Sequence, residues 1–111
     1  MQESEIKELA LNGIFQKEPL NGKIDETHIS WVILSKDHAF KIKKPLKLSF
    51  LDFSSLQDRK HFCEREVELN RRFTDIYQCV IPVHKANGQW YIGGKGKKII
   101  DFAVQMRPDG G

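Results

Sequence analysis

His38-Ala39-Phe40-Lys41-Ile42-Lys43 is the stretch on which the fold turns. Its apolar residues alternate with charged or small ones at a period of two, the mark of a half-buried strand. Phe40 and Ile42 face one side of that strand; Ala39, Lys41 and Lys43 face the other. Pro45 stops it. Just upstream, Thr27–Leu34 carries Ile29, Trp31, Val32, Ile33 and Leu34, a β-branched, aromatic and apolar run that predicts a second strand. Ser35-Lys36-Asp37 reads as the turn of an antiparallel hairpin.

Outward from the hairpin the elements are sparser. Ser4 is placed to cap a short helix bearing Ile6, Leu9 and Ala10, ended near Gly13. Residues 16–26, with Pro19 and Gly22, read as a loop. After the irregular segment 45–53, Asp52, Ser54 or Ser55 offers an N-cap, and a long helix runs to about Phe73. On this helix Phe62, Glu66, Leu69 and Phe73 fall within roughly 60° of arc, while Glu64 and Glu68 point away. Glu66 is then a charge inside an apolar stripe, and a cation is expected beside it. Further strands are expected at Cys79–Val83, Gln89–Ile92 and about Ile99–Met106. Asn87-Gly88 marks a two-residue hairpin turn, and 93–97 a glycine-rich loop. The expected fold is α+β: an antiparallel sheet of about five strands, one long packed helix and a short N-terminal helix.

The chain has 111 residues, enough for a single domain, 1–111, with a modest core. Such a chain buries about two-thirds of the surface its unfolded form exposes. With 40% hydrophobic and 30% charged residues the composition is that of a globular domain. The net charge of +3 is too mild to imply nucleic acid by itself. Between Lys36 and Lys60, however, seven Lys/Arg stand against three Asp, a patch that suits a polyanion. The aromatics around that patch space as core residues, which disfavours nucleic acid as the partner. No stretch is apolar and long enough to span a bilayer, and the acidic Met1-Gln-Glu-Ser-Glu start lacks a signal-peptide layout. Cys63 and Cys79 form no metal or redox motif, and two free thiols point to a cytoplasmic protein. The four histidines are scattered, so no metal site is expected.

The chemistry-bearing pair is Lys41 with Glu66. A small residue two positions before a strand lysine leaves room for a nucleotide against the sheet. The lysine reaches the phosphates, and a helix glutamate holds it in one rotamer. Lys43, on the same face, is the rival. The Gly93–Lys98 segment is no phosphate loop, because Lys98 stands where that motif needs Ser or Thr opening a helix.

Four blocks together, residues 26–34, Phe40-Lys-Ile-Lys-Lys-Pro, Leu51-Asp-Phe-Ser and residues 61–72, resemble the N-terminal part of aminoglycoside phosphotransferase-like kinases. The closest likeness is to a bacterial subgroup whose kinase-like region is often joined to a P-loop ATP-binding domain. The resemblance covers nearly the whole chain. It implies a protein-kinase-like small lobe, with ATP as ligand. It also implies Lys41 at the phosphates, Glu66 as its helix partner, Ser30 in a loop near the phosphates, and Met106 and Arg107 at a hinge against adenine. The family's catalytic His-x-Asp with its following Asn, and its later metal-binding Asp, have no counterpart; Asp101 and Asp109 lack that context. The chain is therefore expected to lack a C-terminal catalytic lobe, to hold no magnesium alone, and to be inactive alone. The alternative expectation is a non-catalytic interaction module, pairing with a partner chain or as a homodimer near Phe102 and Met106.

Overall fold

The computed structural model describes residues 1–96 and 98–108. Helix α1 spans Glu3–Asn12 and α2 spans Leu56–Asn70; the strands are β1 Ile14–Phe15, β2 Glu18–Pro19, β3 Lys23–Glu26, β4 Ser30–Leu34, β5 Ala39–Lys43, β6 Tyr77–Ala86, β7 Gln89–Ile92 and β8 Ile99–Met106. All eight strands belong to one curled sheet in the order β2-β1-β7-β6-β8-β5-β4-β3. Every pairing is antiparallel except β1 with β7, which is parallel.

This corrects the expected five-stranded antiparallel sheet with one long helix. Among the described residues the sheet has eight strands, is mixed, and curls into a half-barrel. Of the extra strands, β2 and β3 lie where residues 16–26 read as a loop, and β1 lies just before that segment. β1 and β2 are two residues each, and the turn between them uses Gln16 and Lys17 at positive φ (51° and 70°) rather than Asn-Gly or glycine. β3 is Lys-Ile-Asp-Glu, exposed at all four positions, and so shows no apolar alternation. β4 begins at Ser30, not Thr27, because Thr27 accepts a hydrogen bond from the Ser30 amide at 3.0 Å and closes the β3–β4 turn.

Strand alternation divides the core in two. Trp31, Ile33, Phe40, Ile42, Val83, Trp90 and Ala103 pack with Ile6, Leu9 and Ala10 of α1 on one side. Cys63 and Val67 of α2 pack with Val104, and with the partly buried Tyr77, Val80, Phe102 and Met106, on the other. Fully burying a side chain such as Phe40 or Ile33 stabilises by about 1.5–3 kcal/mol each. Helix α1 is capped at Gln2, not Ser4, and the Gln2 amide donates to Glu5 Oε1 at 2.7 Å. Ser55 caps α2 by accepting from the Asp58 amide at 3.0 Å.

The apolar stripe expected on α2 is shifted in phase. Its buried positions are Arg59, Cys63 and Val67, whereas Leu69 and Phe73 are exposed. Phe73 lies beyond the helix, which ends at Asn70. Arg59 fits on the buried side because Asp101 waits for it. The Arg59 Nε donates to Asp101 Oδ1 at 3.0 Å, and its Nη1 donates to the carbonyls of Phe53 and Ser54 at 3.0 and 3.1 Å. The Met1 amino group lies 3.3 Å from the other Asp101 oxygen. Asp101 is thus a buried structural charge.

Candidate functional site

β5 carries Ala39, Lys41 and Lys43 on the face covered by α2. Its antiparallel neighbours bring their own residues to that face in register: Leu34 opposite Ala39, Val32 opposite Lys41 and Ser30 opposite Lys43 on β4; Met106 opposite Ala39 and Val104 opposite Lys41 on β8. Same-face positions on a strand are about 7 Å apart. The face therefore reads as three rows: Leu34, Ala39 and Met106; then Val32, Lys41 and Val104; then Ser30 and Lys43.

The first two rows, apart from the buried Val104, open onto a cleft of about 300 Å³ lined by Val32, Leu34, Ala39, Lys41, Ile76, Tyr77, Met106 and Arg107. Its walls are mostly apolar, with Lys41 as the cation on the sheet. Arg107 stands at the mouth, its Nη2 donating to Asp75 Oδ1 at 2.8 Å and its amide donating to the Ile76 carbonyl at 2.9 Å.

Glu66 enters from α2. It accepts from Lys41 at Oε2 (2.8 Å) and from Lys43 at Oε1 (2.7 Å). The Lys41 ammonium also lies 5.9 Å from the Tyr77 ring centre, and that of Lys43 lies 5.2 Å from the ring centre of Phe53. Burial by itself would push the Glu66 carboxyl up, but the hydrogen bonds and charges of the two lysines outweigh it and hold it below its ordinary value. Burial would likewise lower Lys41, yet its bond to Glu66, with smaller help from Tyr77, raises it. The cluster sets one carboxylate between two lysine side chains.

Of the residues singled out from sequence, Lys41, Met106 and Arg107 line the cleft; Glu66 and Lys43 stand behind Lys41. Ser30 does not sit in a loop. It opens β4, is only 3% exposed, and lies in Lys43's row, away from the cleft. Phe102 and Met106, near which a pairing surface was expected, are half-buried and pack against the α2-side core. Asp109 lies outside the described residues, as does Lys97 of the glycine-rich loop. Sequence reasoning passed over Val32, Leu34, Ile76 and Tyr77. The first two follow from pairing β4 to β5 across Ser35–His38, whose Ser35 amide donates to the His38 carbonyl at 2.9 Å. Tyr77 is brought in by the pairing of β6 with β8, which sets it opposite Met106, and Ile76 by its carbonyl, which accepts from the Arg107 amide; neither carries a local signal.

Among the described residues, no three His, Cys, Asp or Glu side chains gather as a metal site, and no helix is long and apolar enough to cross a membrane.

No family model and no solved structure matches the chain. It is similar to three proteins described only as uncharacterized, one from Mycobacterium bovis and two from strains of Mycobacterium tuberculosis. Each is 47% identical over 49 residues, which is 44% of this chain and 10% of the relative. The matched stretch therefore spans about a tenth of the length of these relatives.

Proposed function

We propose that this chain is the ATP-phosphate-binding part of an aminoglycoside phosphotransferase-like kinase, catalytically incomplete by itself. The observation that carries the reading is the order of groups on one face: an apolar cleft at Leu34, Ala39 and Met106, then Lys41, then the carboxylate that fixes Lys41. A base needs apolar walls, and a phosphate needs a held cation one step further along. Lys41 retains 25% side-chain exposure and lines the cleft, while Glu66 restrains its rotamer. The cleft volume lies at the lower end of the about 300–1,000 Å³ common for small-ligand sites. The reading rests on this local geometry and not on the five-stranded lobe that the sequence suggested.

In this reading ATP supplies the phosphoryl group, and the chain binds and orients it. The catalytic base and the magnesium ligands belong to a further part or partner chain, since no His-x-Asp with a following Asn occurs in the sequence. The protein works in the cytoplasm. Thermal denaturation with millimolar ATP tests the reading. At about ten times Kd, ATP adds about 1.4 kcal/mol, and for a domain of this size about 4–8 °C in Tm follows. Lys41→Ala should abolish the rise; absence of any rise in the native protein rejects the reading.

A second reading, a non-catalytic module that self-associates, is favoured by one observation. Leu69 and Phe73, at and just past the end of α2, are 45% and 86% exposed.

A further inference from the structure

Two ammonium groups share the Glu66 carboxylate, and they are not equivalent. Lys43 donates to Oε1 at 2.7 Å from a side chain only 7% exposed, against the Phe53 ring. Lys41 donates to Oε2 at 2.8 Å from a side chain 25% exposed that lines the cleft, which Lys43 does not. One carboxylate cannot neutralise both, so the cluster keeps one excess positive charge facing an apolar cleft. An arriving anion meets Lys41 first.

We propose that Lys43 is a positioning residue: its bond to Oε1 keeps Glu66 ionised and in place, so that Glu66 still restrains Lys41 while Lys41 turns part of its charge to an anionic phosphate. The proposal rests on the phosphate-binding reading above. The physical reason is the cost of stranding a charge. A mostly buried carboxylate that loses its only cation is strongly destabilising. With Lys43 in place, Glu66 keeps one undivided charge-assisted hydrogen bond even where a phosphate competes for Lys41. Glu66 is also tethered through its backbone, whose carbonyl accepts from the Asn70 side chain at 2.8 Å. The other titratable and charged groups around the cluster are Tyr77 of β6, Asp101 of β8, and Arg59 and Cys63 of α2.

The test follows the Glu66 carboxyl carbon by ¹³C NMR through an acid titration of the full chain, with and without ATP. The proteins are native, Lys41→Met, Lys43→Met and Lys43→Arg. Without ligand, Lys43→Met should raise the Glu66 midpoint more than Lys41→Met, and Lys43→Arg should restore it. With ATP, the native midpoint should stay in place. In Lys43→Met, ATP binding should take up a proton at Glu66, so its affinity relative to the native protein should rise as pH falls, by about tenfold for each unit of pKa change. A larger rise in Lys41→Met than in Lys43→Met, with ATP binding intact, overturns the assignment of Lys43 alone. Failure of ATP to bind any of the proteins overturns the phosphate-binding reading and this proposal with it. Should Lys43→Met not fold, the native titration decides: an unmoved midpoint on adding ATP supports the proposal, and a rise of about one unit, tenfold in proton affinity, overturns it.

Discussion

Arg59 of α2 and Asp101 of β8 form an ion pair at 3.0 Å with side chains 8% and 0% exposed. The pair ties helix to sheet, and through the Phe53 and Ser54 carbonyls it also pins the segment that leads into α2. Removing one partner of a buried pair leaves a charge uncompensated, at a cost of about 3–5 kcal/mol. Arg59→Ala should therefore cost about 3 kcal/mol, the low end, because the Met1 amino group still faces Asp101. Urea denaturation measures it; a loss under about 1 kcal/mol, the scale of an exposed pair, would contradict the assignment.

Glu66 makes stability depend on acid pH, and the sign follows from its lowered carboxyl. A carboxyl held below its unfolded value of 4.5 contributes stability that is fully present above that value. The contribution is lost as pH falls through the lower, folded value. The stability difference between native protein and Glu66→Gln should thus be greatest near neutrality and shrink below pH 4.5. A difference that stays constant through that window in urea titrations at several pH values would count against the ionised Glu66.

Cys63 is fully buried, and its thiol is pushed up to about 12, chiefly by burial. The thiolate is the reactive form. Cys79 is only partly buried, and burial raises its thiol. A thiol reagent at neutral pH should modify Cys79 in the native protein and reach Cys63 only on unfolding. Equal rates at the two sites would show that α2 opens readily from the sheet.

Phe73 separates the two functional readings. At 86% exposure it has little packing to lose, so Phe73→Glu should change stability by no more than about 0.5 kcal/mol. If the chain self-associates through the end of α2, sedimentation should find an oligomer that Phe73→Glu dissolves. A monomer at all concentrations in both proteins removes the support for that reading.

How much of this was legible in sequence depends on the length and amphipathicity of each element. Ala39–Lys43 is written in strict alternation, and Asn87-Gly88, at φ 52° and 79°, makes the turn its residue types demand. β1 and β2 are too short for any period to show, and β3 is exposed on both faces at the sheet edge, where hydrogen bonding to β4 holds it without a buried stripe. The parallel β1–β7 pairing joins residues some 77 positions apart in sequence, such as Ile14 with Tyr91, so no local pattern announces it. In α2, pattern alone placed Glu66 among apolar residues. The real buried positions include Arg59, whose polarity hid the phase of the helix until Asp101 was known to face it. Glu66 still meets the lysines because it flanks that face. That Lys43 shares the carboxylate with Lys41 was beyond the strand pattern, which placed both on one side and could not set their distances to α2.

The central claim is that the cleft beside Lys41 takes a nucleotide. Amide ¹H–¹⁵N NMR of the full chain during titration with ATP tests it most directly. The account predicts saturable shifts confined to the Val32–Leu34, Ala39–Lys41 and Met106–Arg107 backbone, lost in Lys41→Ala. No shifts at millimolar ATP, or shifts centred elsewhere on the sheet, would contradict it.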